Sequence, residues 1–302
     1  MIHNFLNLVP QKRDLLLTNY YGGLMNRAIL SMVILLCGAT SLYAQTECTR
    51  SMLKAATDSY IAAQETGDLS KMALAPKAKY IENMIETAKD KGIWNTALPV
   101  AFHRSIYDIG RCKTFTEVIV TEGGHPYVIG TRLKVQDGKV AEIDSLVTDT
   151  DDWLFNAENY LKYSKAEDWP VLSVDDRVSR QDLIDAGHQY FDFVFLDKGI
   201  RPPWGTPCAR LEGGAYTNPN NEDKDTCQIP GPLGELFITN RTFVVDEEMG
   251  AVNVFCRFGD SANGMPDSHT FRLVRGKYRW IHTLSVNLTG KPIVVPEFNP
   301  EE

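Results

Sequence analysis

The sequence lacks the motifs of most nucleotide-dependent and metal-dependent enzymes. It has no glycine-rich phosphate loop, no GxSxG nucleophile elbow, no HExxH helix and no CxxC pair with zinc-site spacing. It also lacks any run of lysines or arginines, and its formal net charge is -8. A protein of this charge has no electrostatic footprint for nucleic acid or for acidic membranes. We therefore expect no cofactor, no metal ion and no nucleic-acid partner.

Long hydrophobic runs are scarce, and the clearest one lies near the N-terminus. From Met25, the stretch MNRAILSMVILLCGATSLYAQ combines one basic residue, an apolar core over residues 28–38 and small residues up to Ala44. This is the layout of a secretory signal peptide, and its core is too short for a membrane span. Residues 1–24 precede it, so either translation starts at Met25 or the segment is an uncleaved anchor. We expect residues 1–44 to be an N-terminal extension plus signal peptide, followed by a secreted or lumenal mature protein without a membrane span.

Cysteine is rare as well, with six residues in the chain, one of which, Cys37, lies in the signal peptide. In an oxidising compartment we expect the remaining cysteines to form one disulfide in each half of the chain. Cys256 lies in the apolar stretch VNVFCRFG and is predicted to be a buried free thiol. The predicted disulfides are Cys48–Cys112 and Cys208–Cys227.

Two N-glycosylation sequons occur in the chain. Asn240 begins the sequon NRT, and Asn287 begins the sequon NLT. Both asparagines are therefore predicted to carry glycans in the secretory pathway.

The most informative feature of the sequence is an internal repeat. The stretch MLKAATDSYIAA aligns with DLIDAGHQYFDF at an offset of 130, which superposes Tyr60 on Tyr190 and, further on, Glu82 on Glu212. The hairpin RLKVQDGKVAEIDSL aligns with TFRLVRGKYRWIHTL at an offset of 138. One loop insertion explains the difference, so the chain contains two copies of one fold. The predicted divisions are a first domain at 48–150, a linker at 151–177, a second domain at 178–290 and a C-terminal tail at 291–302.

Each copy shows the same order of elements. Apolar residues recur at helical spacing in an opening helix, and an irregular segment and then several strands follow. The strands are TFTEVIVT, YVIGTRLKV and KVAEIDSLV in the first copy, and RTFVVDEE, AVNVFCRF, HTFRLV and KYRWIHTLSV in the second. This order predicts an α+β fold of two tandem domains, each with N-terminal helices packed on a strongly curved antiparallel sheet.

These elements resemble those of nuclear transport factor 2-like or SnoaL-like domains. The stretches RCKTFTEVIVT, HPYVIGTRL, GKVAEIDSLVTD, PWGTPCARLEGGAYT, VVDEEMGAV and PDSHTFR are similar to a secreted fungal family described only as a domain of unknown function. The resemblance covers nearly all of the mature chain. It implies two cone-shaped domains, each folded around a deep apolar pocket of the kind used by isomerases, dehydratases, polyketide cyclases and binding modules.

The two hairpins predict which side chains would line such a pocket. Two-residue turns at Asp137-Gly138 and Arg275-Gly276 would fix the strand register, and side chains then alternate between the two faces. The predicted pairs are Leu273 with Tyr278, Phe271 with Trp280, and His269 with His282 in the second hairpin, and Val135 with Val140, Leu133 with Glu142, and Thr131 with Asp144 in the first.

Three residues of these pairs are predicted to transfer protons, namely Asp144, His269 and His282. Burial in an apolar cavity moves the pKa of such groups toward neutrality, as a general acid or base requires. Two alternatives stay open. The histidines could be structural residues bonded to Asp267 or Thr270, and a register slip of one residue would turn Asp144 to solvent.

Further residues are predicted to line the pockets. Glu82 and Glu212 recur in both copies, and either could instead cap backbone amides or pair with a basic neighbour, Lys79 or Arg210. Trp204, which follows two prolines, covers a cavity mouth or packs a loop. The predicted substrate-binding residues are Tyr60, Glu82, His103, Tyr190, Trp204, Glu212, Phe271 and Trp280.

The functional expectation has two branches. In the first, the protein binds a hydrophobic small molecule and acts as a cofactor-free isomerase, dehydratase or cyclase on terpenoid or polyketide intermediates of fungal secondary metabolism, which is what the resemblance implies. In the second, it is a non-catalytic extracellular protein that binds lipophiles or interacts with other molecules. In either branch one copy could keep a site while the other only stabilises the pair, and the sequence predicts no particular oligomeric state.

Overall fold

The computed structural model describes residues 47–196, 199–229 and 236–289, which belong to one compact unit. The predicted signal peptide with its cleavage after Ala44, and the tail at 291–302, lie outside the described residues. Within the described ranges, no helix combines the length and the apolar composition that a membrane crossing requires.

Two long helices open the two repeats, and a third lies between them. The capping residue Thr49 accepts a hydrogen bond from the Met52 N–H at 3.2 Å, and Gly67 ends the first helix in the left-handed conformation with φ 64°. Asn156 caps the middle helix in the same way as Thr49. The helices are α1 (Arg50–Thr66), α2 (Ala157–Ala166) and α3 (Arg180–Leu196).

The first repeat forms one six-stranded sheet, called here the first sheet. Its strand order is β2-β1-β6-β5-β4-β3. β1 runs parallel to β6, and the other neighbours are antiparallel. The strands are β1 (Leu74–Glu82), β2 (Ile85–Glu86), β3 (Phe102–Asp108), β4 (Lys113–Val120), β5 (Tyr127–Gln136) and β6 (Lys139–Thr148).

The second repeat builds an equivalent second sheet in the order β8-β7-β12-β11-β10-β9, again with one parallel pair, β7 with β12. The α+β class is confirmed, but the expected antiparallel sheets are mixed sheets, because the last strand of each repeat returns beside the first in the same direction. The strands are β7 (Ala209–Glu212), β8 (Ala215–Tyr216), β9 (Ile238–Asp246), β10 (Ala251–Phe258), β11 (Met265–Val274) and β12 (Lys277–Ser285).

Each sheet has two buried faces. One face packs against the opening helix of its own repeat, as Tyr60 of α1 does in the first sheet and Phe191 of α3 in the second. The opposite faces of the two sheets pack on each other, where Phe115 and Phe255 meet edge to face with ring centroids 6.0 Å apart. The two repeats therefore share a core between their sheets.

Two ion pairs, each with a buried carboxylate and a partly exposed arginine, join the repeats reciprocally. Arg180, the first residue of α3, donates two hydrogen bonds of 2.7 Å to Asp108 at the end of β3. Arg50, the first residue of α1, donates two of 2.9 Å to Asp246 at the end of β9. Because each arginine reaches the other repeat, the two halves contact each other as the subunits of a two-fold symmetric dimer do.

Backbone N–H groups of each repeat also donate hydrogen bonds to the buried carboxylate of the other repeat. Tyr107 N–H donates to Asp246 Oδ2 at 2.9 Å, and Val245 N–H donates to Asp108 Oδ2 at 3.0 Å. Both carboxylates are fully or almost fully buried, with exposed fractions of 0% and 1%. Buried carboxylates satisfied by an arginine and by backbone amides hold the two edge strands in register.

Both expected disulfides are present. Cys48 is bonded to Cys112 in the first repeat, and Cys208 is bonded to Cys227 in the second. Cys256 is a buried free thiol, as predicted. Two disulfides in a chain of this size are typical of proteins from oxidising compartments such as the extracellular space.

Candidate functional site

The terminal hairpin of each repeat carries the predicted site, and its turn forms as predicted. Asp137 and Gly138 have φ values of 49° and 71°, and Arg275 and Gly276 have 51° and 71°. Positive φ at both central residues defines the tight hairpin turn that matches strand twist.

A β-bulge changes the register just beyond each turn. Val135 pairs with Val140, but Lys134 pairs with Glu142, so Ala141 is the extra residue. In the second hairpin Leu273 pairs with Tyr278 as predicted, and Arg279 is the extra residue. A bulge shifts all later partners by one position and therefore moves their side chains to the other face.

The predicted pairing of His269 with His282 is wrong for this reason. His269 pairs with Thr283, and His282 pairs with Thr270. Neighbouring positions on a strand point to opposite faces, so the two histidines lie on opposite sides of the sheet. In the same way Phe271 pairs with Ile281 instead of Trp280.

The first hairpin has the same shift. Asp144 pairs with Arg132, and Thr131 pairs with Ser145. Leu133, expected opposite Glu142, pairs with Ile143. The equivalent residues Asp144 and His282 therefore both lie on the face turned toward the other repeat, away from the opening helices.

His269 lies inside the core of the second repeat. Its Nδ1 is 2.5 Å from Asp267 Oδ1, and the other oxygen of that carboxylate accepts a hydrogen bond from Ser285 at 2.6 Å. The rings of Tyr190 and Phe191 on α3 lie 5.3 and 4.8 Å from the imidazole. This is the structural arrangement with Asp267 that the sequence left open.

His282 lies between two carboxylates from other parts of the chain. Its Nδ1 is 2.9 Å from Glu117 Oε2 on β4 of the first sheet. Its Nε2 is 2.7 Å from Glu167 Oε2, just after α2. All three side chains are almost completely buried, with exposed fractions of 0–3%. This cluster, here called the histidine bridge, links both repeats and the segment between them.

Other side chains satisfy the remaining oxygens of the histidine bridge. Tyr160 donates to Glu117 at 3.0 Å, while Trp169 and Tyr216 donate to Glu167 at 2.9 and 3.0 Å. Arg104 adds a second positive charge 3.5 Å from Glu167. When the imidazole is charged, the two positive charges of His282 and Arg104 balance the two negative charges of the carboxylates. Buried charges require such a balance.

The geometry fixes the protonation state of His282. Each ring nitrogen faces a different carboxylate, which can only accept a hydrogen bond, so both nitrogens carry a proton. Burial disfavours the charged ring, but the two carboxylates outweigh it and raise the pKa of His282 to about 9. An imidazole that is charged at neutral pH and has no free nitrogen is poorly suited to exchange protons with a substrate.

The histidine bridge also has the wrong geometry for a metal ion. Glu117 and Glu167 approach opposite nitrogens of one ring and do not converge on a common point. Among the described residues, no group of three or more potential ligands is arranged to hold a metal.

Asp144 has a less complete environment. Its Oδ1 is buried without a hydrogen-bond partner in the described part of the chain. Burial raises the pKa of Asp144 to about 6, although the nearby Arg132 opposes this shift. The Arg132 guanidinium is itself committed to the second sheet, since it donates to Asn253 at 2.8 Å and to Thr242 at 2.7 Å.

The space between α3 and the second sheet is filled by aromatic side chains. Tyr190 packs on Phe271 at 5.1 Å and on Trp204 at 5.9 Å, and Phe271 packs on Tyr278 at 5.4 Å. Tyr278 closes this layer by donating a hydrogen bond of 2.6 Å to the Ala186 carbonyl of α3. Tyr190 and Phe271 therefore belong to the core, and Trp204 packs a loop against it.

The first repeat has a similarly filled interior. Tyr60 and Trp94 are both fully buried, and Tyr80 stacks on Trp94 with centroids 5.5 Å apart. The Tyr60 hydroxyl is 2.8 Å from Thr131 Oγ1, which is 2.8 Å from Ser145 Oγ. These hydroxyls satisfy one another, as buried polar groups require.

Both repeated glutamates have structural partners. Glu82 accepts a hydrogen bond from Ile93 N–H at 2.8 Å, and it also bonds to the Tyr80 hydroxyl. Glu212 accepts from Arg210 at 3.1 Å and from Trp153 at 2.8 Å. The first is a backbone cap and the second is an ion pair.

His103 and Trp280 depart from their predicted places. His103 is exposed on the edge strand β3, although it was expected in a pocket, because strand alternation buries Phe102 and Arg104 more deeply. Trp280 lies on the face turned away from α3, since the bulge at Arg279 inverts it. Its ring stacks on Trp169 with centroids 5.8 Å apart and planes 11° apart.

The two asparagines of the predicted glycosylation sites have different surroundings. Asn240 is exposed, and its side-chain amide donates to the Ser261 carbonyl at 2.8 Å. Asn287 is half-buried, and its amide donates to the Asp151 carbonyl at 3.2 Å. Glycosylation at both positions stays a prediction.

Sequence reasoning missed the carboxylates of the histidine bridge. Glu117 is a single charged residue within the apolar strand TFTEVIVT, and a buried charge of this kind demands a partner. That signal could have identified it. Glu167 lies in an irregular segment without such a signal, and only the folded chain brings it to His282.

One family model matches part of the chain. Residues 176–285 match the family model described as Domain of unknown function (DUF8021). The match spans α3 and the second sheet, and the first sheet lies outside it. A search of curated proteins found no match to the chain.

Proposed function

We propose that this protein is a secreted, non-catalytic interaction protein built from a tandem pair of nuclear transport factor 2-like domains. The observation that carries the proposal is the filled interior of both repeats. A cone-shaped domain that binds a lipophile needs an empty apolar cavity of several hundred cubic ångströms, in line with known ligand pockets. Here Tyr190, Phe271 and Tyr278 occupy that space in the second repeat, and Tyr60 and Trp94 occupy it in the first.

The charged groups support the same proposal. A general acid or base must reach the reacting atom of its substrate and change its protonation state. His282 is enclosed by Glu117 and Glu167, and His269 is bonded to Asp267 within an aromatic core. Each of these groups has an evident part in holding the fold.

The two-fold arrangement and the disulfides fit an extracellular interaction protein. The reciprocal Arg50–Asp246 and Arg180–Asp108 pairs, together with the core between the sheets, hold the two repeats in one compact unit. Rigid surfaces lose less conformational entropy when they bind another molecule. The proposal includes that the protein is secreted by a fungus and that each of its two domains is cone-shaped.

A second candidate function rests on Asp144. A buried carboxyl group with a pKa of about 6 and an unpartnered oxygen is the type of residue that transfers protons in cofactor-free isomerases and cyclases. In this alternative the substrate is a hydrophobic terpenoid or polyketide intermediate, and it reaches Asp144 from the face between the sheets.

Native mass spectrometry and product analysis together distinguish the two functions. The protein secreted by its host is purified without detergent, its mass is measured under native conditions, and it is then incubated with an extract of that host. The interaction proposal predicts the mass of the chain with its disulfides and glycans alone, and no compound consumed. A co-purified lipophile, or a compound that wild-type protein consumes and the Asp144→Asn variant does not, would contradict it.

A further inference from the structure

An open groove on the first sheet has an occupied counterpart on the second. The groove has a volume of about 500 Å³ and lies over β1, β5 and β6, where Lys77, Lys79, Lys134 and Glu142 line it. Lys134 and Glu142 are directly paired across the hairpin. Their equivalents at an offset of 138 are Arg272 and Trp280, which are also directly paired.

The segment between the repeats covers this equivalent surface. The Trp169 ring stacks on Trp280, and the Pro170 carbonyl accepts a hydrogen bond of 2.8 Å from Arg272. Leu172 N–H then donates to the Glu248 carbonyl at 2.8 Å. Residues 167–173 have no helix or strand, so an irregular Trp-Pro segment lies across the sheet face.

The β1 and β7 strands extend the equivalence. Lys79 pairs with Glu142 as Ala209 pairs with Trp280, which is consistent with the offset of 130 between the first parts of the repeats. The open groove and the covered surface are therefore the same place on one fold. The second sheet supplies a template for the kind of segment that the first sheet can hold.

The charges of the open groove specify its ligand. Lys77 and Lys79 are exposed, and Lys134 is half-buried. Glu142, paired with Lys134, is the carboxylate among the lining residues, and Glu86 is 3.7 Å from Lys79. The three lysines of the lining outnumber these two carboxylates, so an acidic ligand is favoured.

We propose that this groove binds an acidic, irregular peptide segment of a partner protein, with a tryptophan followed by proline, in the way that Glu167–Leu172 lies on the second sheet. The proposal rests on the interaction function above and names the chemistry of the partner. The lysine stems would pack on the indole ring, and the ammonium groups would meet the acidic side chains.

The partner segment comes from a different protein and not from a second copy of this chain. The chain's own Trp-Pro segment is engaged intramolecularly, because Trp169 also donates to Glu167 and lies 4.5 Å from the Arg104 guanidinium. Releasing it would break the histidine bridge. Self-association through this segment is therefore costly.

The test uses the chain's own segment as a synthetic probe. A fluorescein-labelled peptide AEDWPVLSVDD, which corresponds to residues 166–176, is titrated with the intact secreted protein and followed by fluorescence polarisation. We expect saturable binding with a Kd of roughly 10–100 μM that weakens as salt rises. Lys134→Glu and Lys79→Glu should each weaken it about tenfold. Lys224→Glu, on an exposed loop of the second repeat, should leave it unchanged.

A photo-crosslinking experiment locates the bound peptide. With a photoreactive phenylalanine in place of the tryptophan, crosslinks should map to β1, β5 or β6. Crosslinks to the second sheet, binding indifferent to Lys134→Glu, or no saturable binding at roughly 1 mM peptide would overturn the groove proposal. So would concentration-dependent dimerisation that Lys134→Glu abolishes, since it would assign the groove to a second copy.

The two proposals fail separately. If the peptide does not bind and native mass spectrometry finds neither a lipophile nor a consumed compound, the groove proposal fails while the interaction function stands. If a compound is consumed through Asp144, the interaction function fails whatever the peptide does.

Discussion

His282 and Asp144 occupy equivalent positions in the two hairpins, yet the protein treats their charges in opposite ways. The positive charge of His282 is balanced by Glu117 and Glu167, and the resulting ion pairs link the repeats. Asp144 keeps an unpartnered oxygen, and the position equivalent to Glu117 is taken by the apolar Phe255. Equivalent positions in two copies of one fold can therefore differ in their effect. The charge at one position stabilises the fold, whereas the charge at the other lowers its stability.

The comparison extends to the surfaces next to these residues. In the second sheet, Trp169 and Pro170 cover the part of the His282 face that lies next to the histidine bridge. In the first sheet, the equivalent part is an open groove lined by lysines. The second repeat is thus closed by the chain itself, whereas the first repeat offers a surface to other molecules.

We expect the largest loss of stability from breaking the reciprocal ion pairs that join the two repeats. Asp108→Asn removes the charge that Arg180 and two backbone amides need at a buried position. We expect a loss of about 3–5 kcal/mol in the free energy of unfolding, measured by chemical denaturation without reductant.

The two-fold relation supplies the controls for this prediction. Asp246→Asn should cost about as much, within roughly 1 kcal/mol, because its partners are equivalent. Asp58→Asn, whose partner Lys54 is exposed, should cost less than about 0.5 kcal/mol. A cost for Asp108→Asn as small as that for Asp58→Asn would show that the pairs do not hold the repeats.

The next effect is the loss of the histidine bridge. His282→Gln leaves the two carboxylates without a cation between them, and we expect a loss of about 3 kcal/mol at pH 6. Because the pKa of His282 is raised in the folded state from 6.5 to about 9, its contribution is complete below pH 6.5 and declines as pH rises toward 9. The difference between wild type and variant should therefore shrink over this range.

The exposed His125 provides the matched control for the bridge. His125→Gln should change the free energy of unfolding by less than about 0.5 kcal/mol at every pH. A difference between wild type and His282→Gln that stays constant from pH 6 to pH 9 would contradict the assignment of a charged ring.

The smallest effect, and one of opposite sign, is expected at Asp144. Its raised pKa means that ionisation is unfavourable in the fold, so stability is lost as pH rises from about 4 to about 6. Asp144→Asn should therefore be more stable than wild type by about 2–3 kcal/mol at pH 8 and equal to it at pH 4, since each unit of pKa shift corresponds to about 1.4 kcal/mol. Destabilisation at pH 8 would mean that the charge of Asp144 is needed by Arg132.

The sequence predicted the elements more accurately than the faces of the strands. Helical spacing identified α1 and α3. The glycines at 138 and 276 identified both hairpin turns, because glycine adopts the positive φ of such turns without steric strain. The bulges at Ala141 and Arg279 carry no such signal, since any residue can occupy them. One extra residue in each strand was enough to reverse the faces of Asp144 and His282.

The partners of the histidine bridge were hidden for a different reason. His282 and Glu117 are 165 residues apart, and Glu167 comes from the segment between the repeats. Their convergence depends on how the two sheets pack face to face. Local patterns fix single elements, whereas this packing depends on side-chain complementarity across the whole chain.

The most direct test of the account is nuclear magnetic resonance of ¹⁵N-labelled histidine between pH 6 and pH 8.5. We predict that both ring nitrogens of His282, assigned with the His282→Gln variant, stay protonated up to about pH 8 with slow solvent exchange, as a buried imidazolium between two carboxylates requires. A ring that titrates near the ordinary value of 6.5 would contradict the account and restore His282 as a candidate proton-transfer residue.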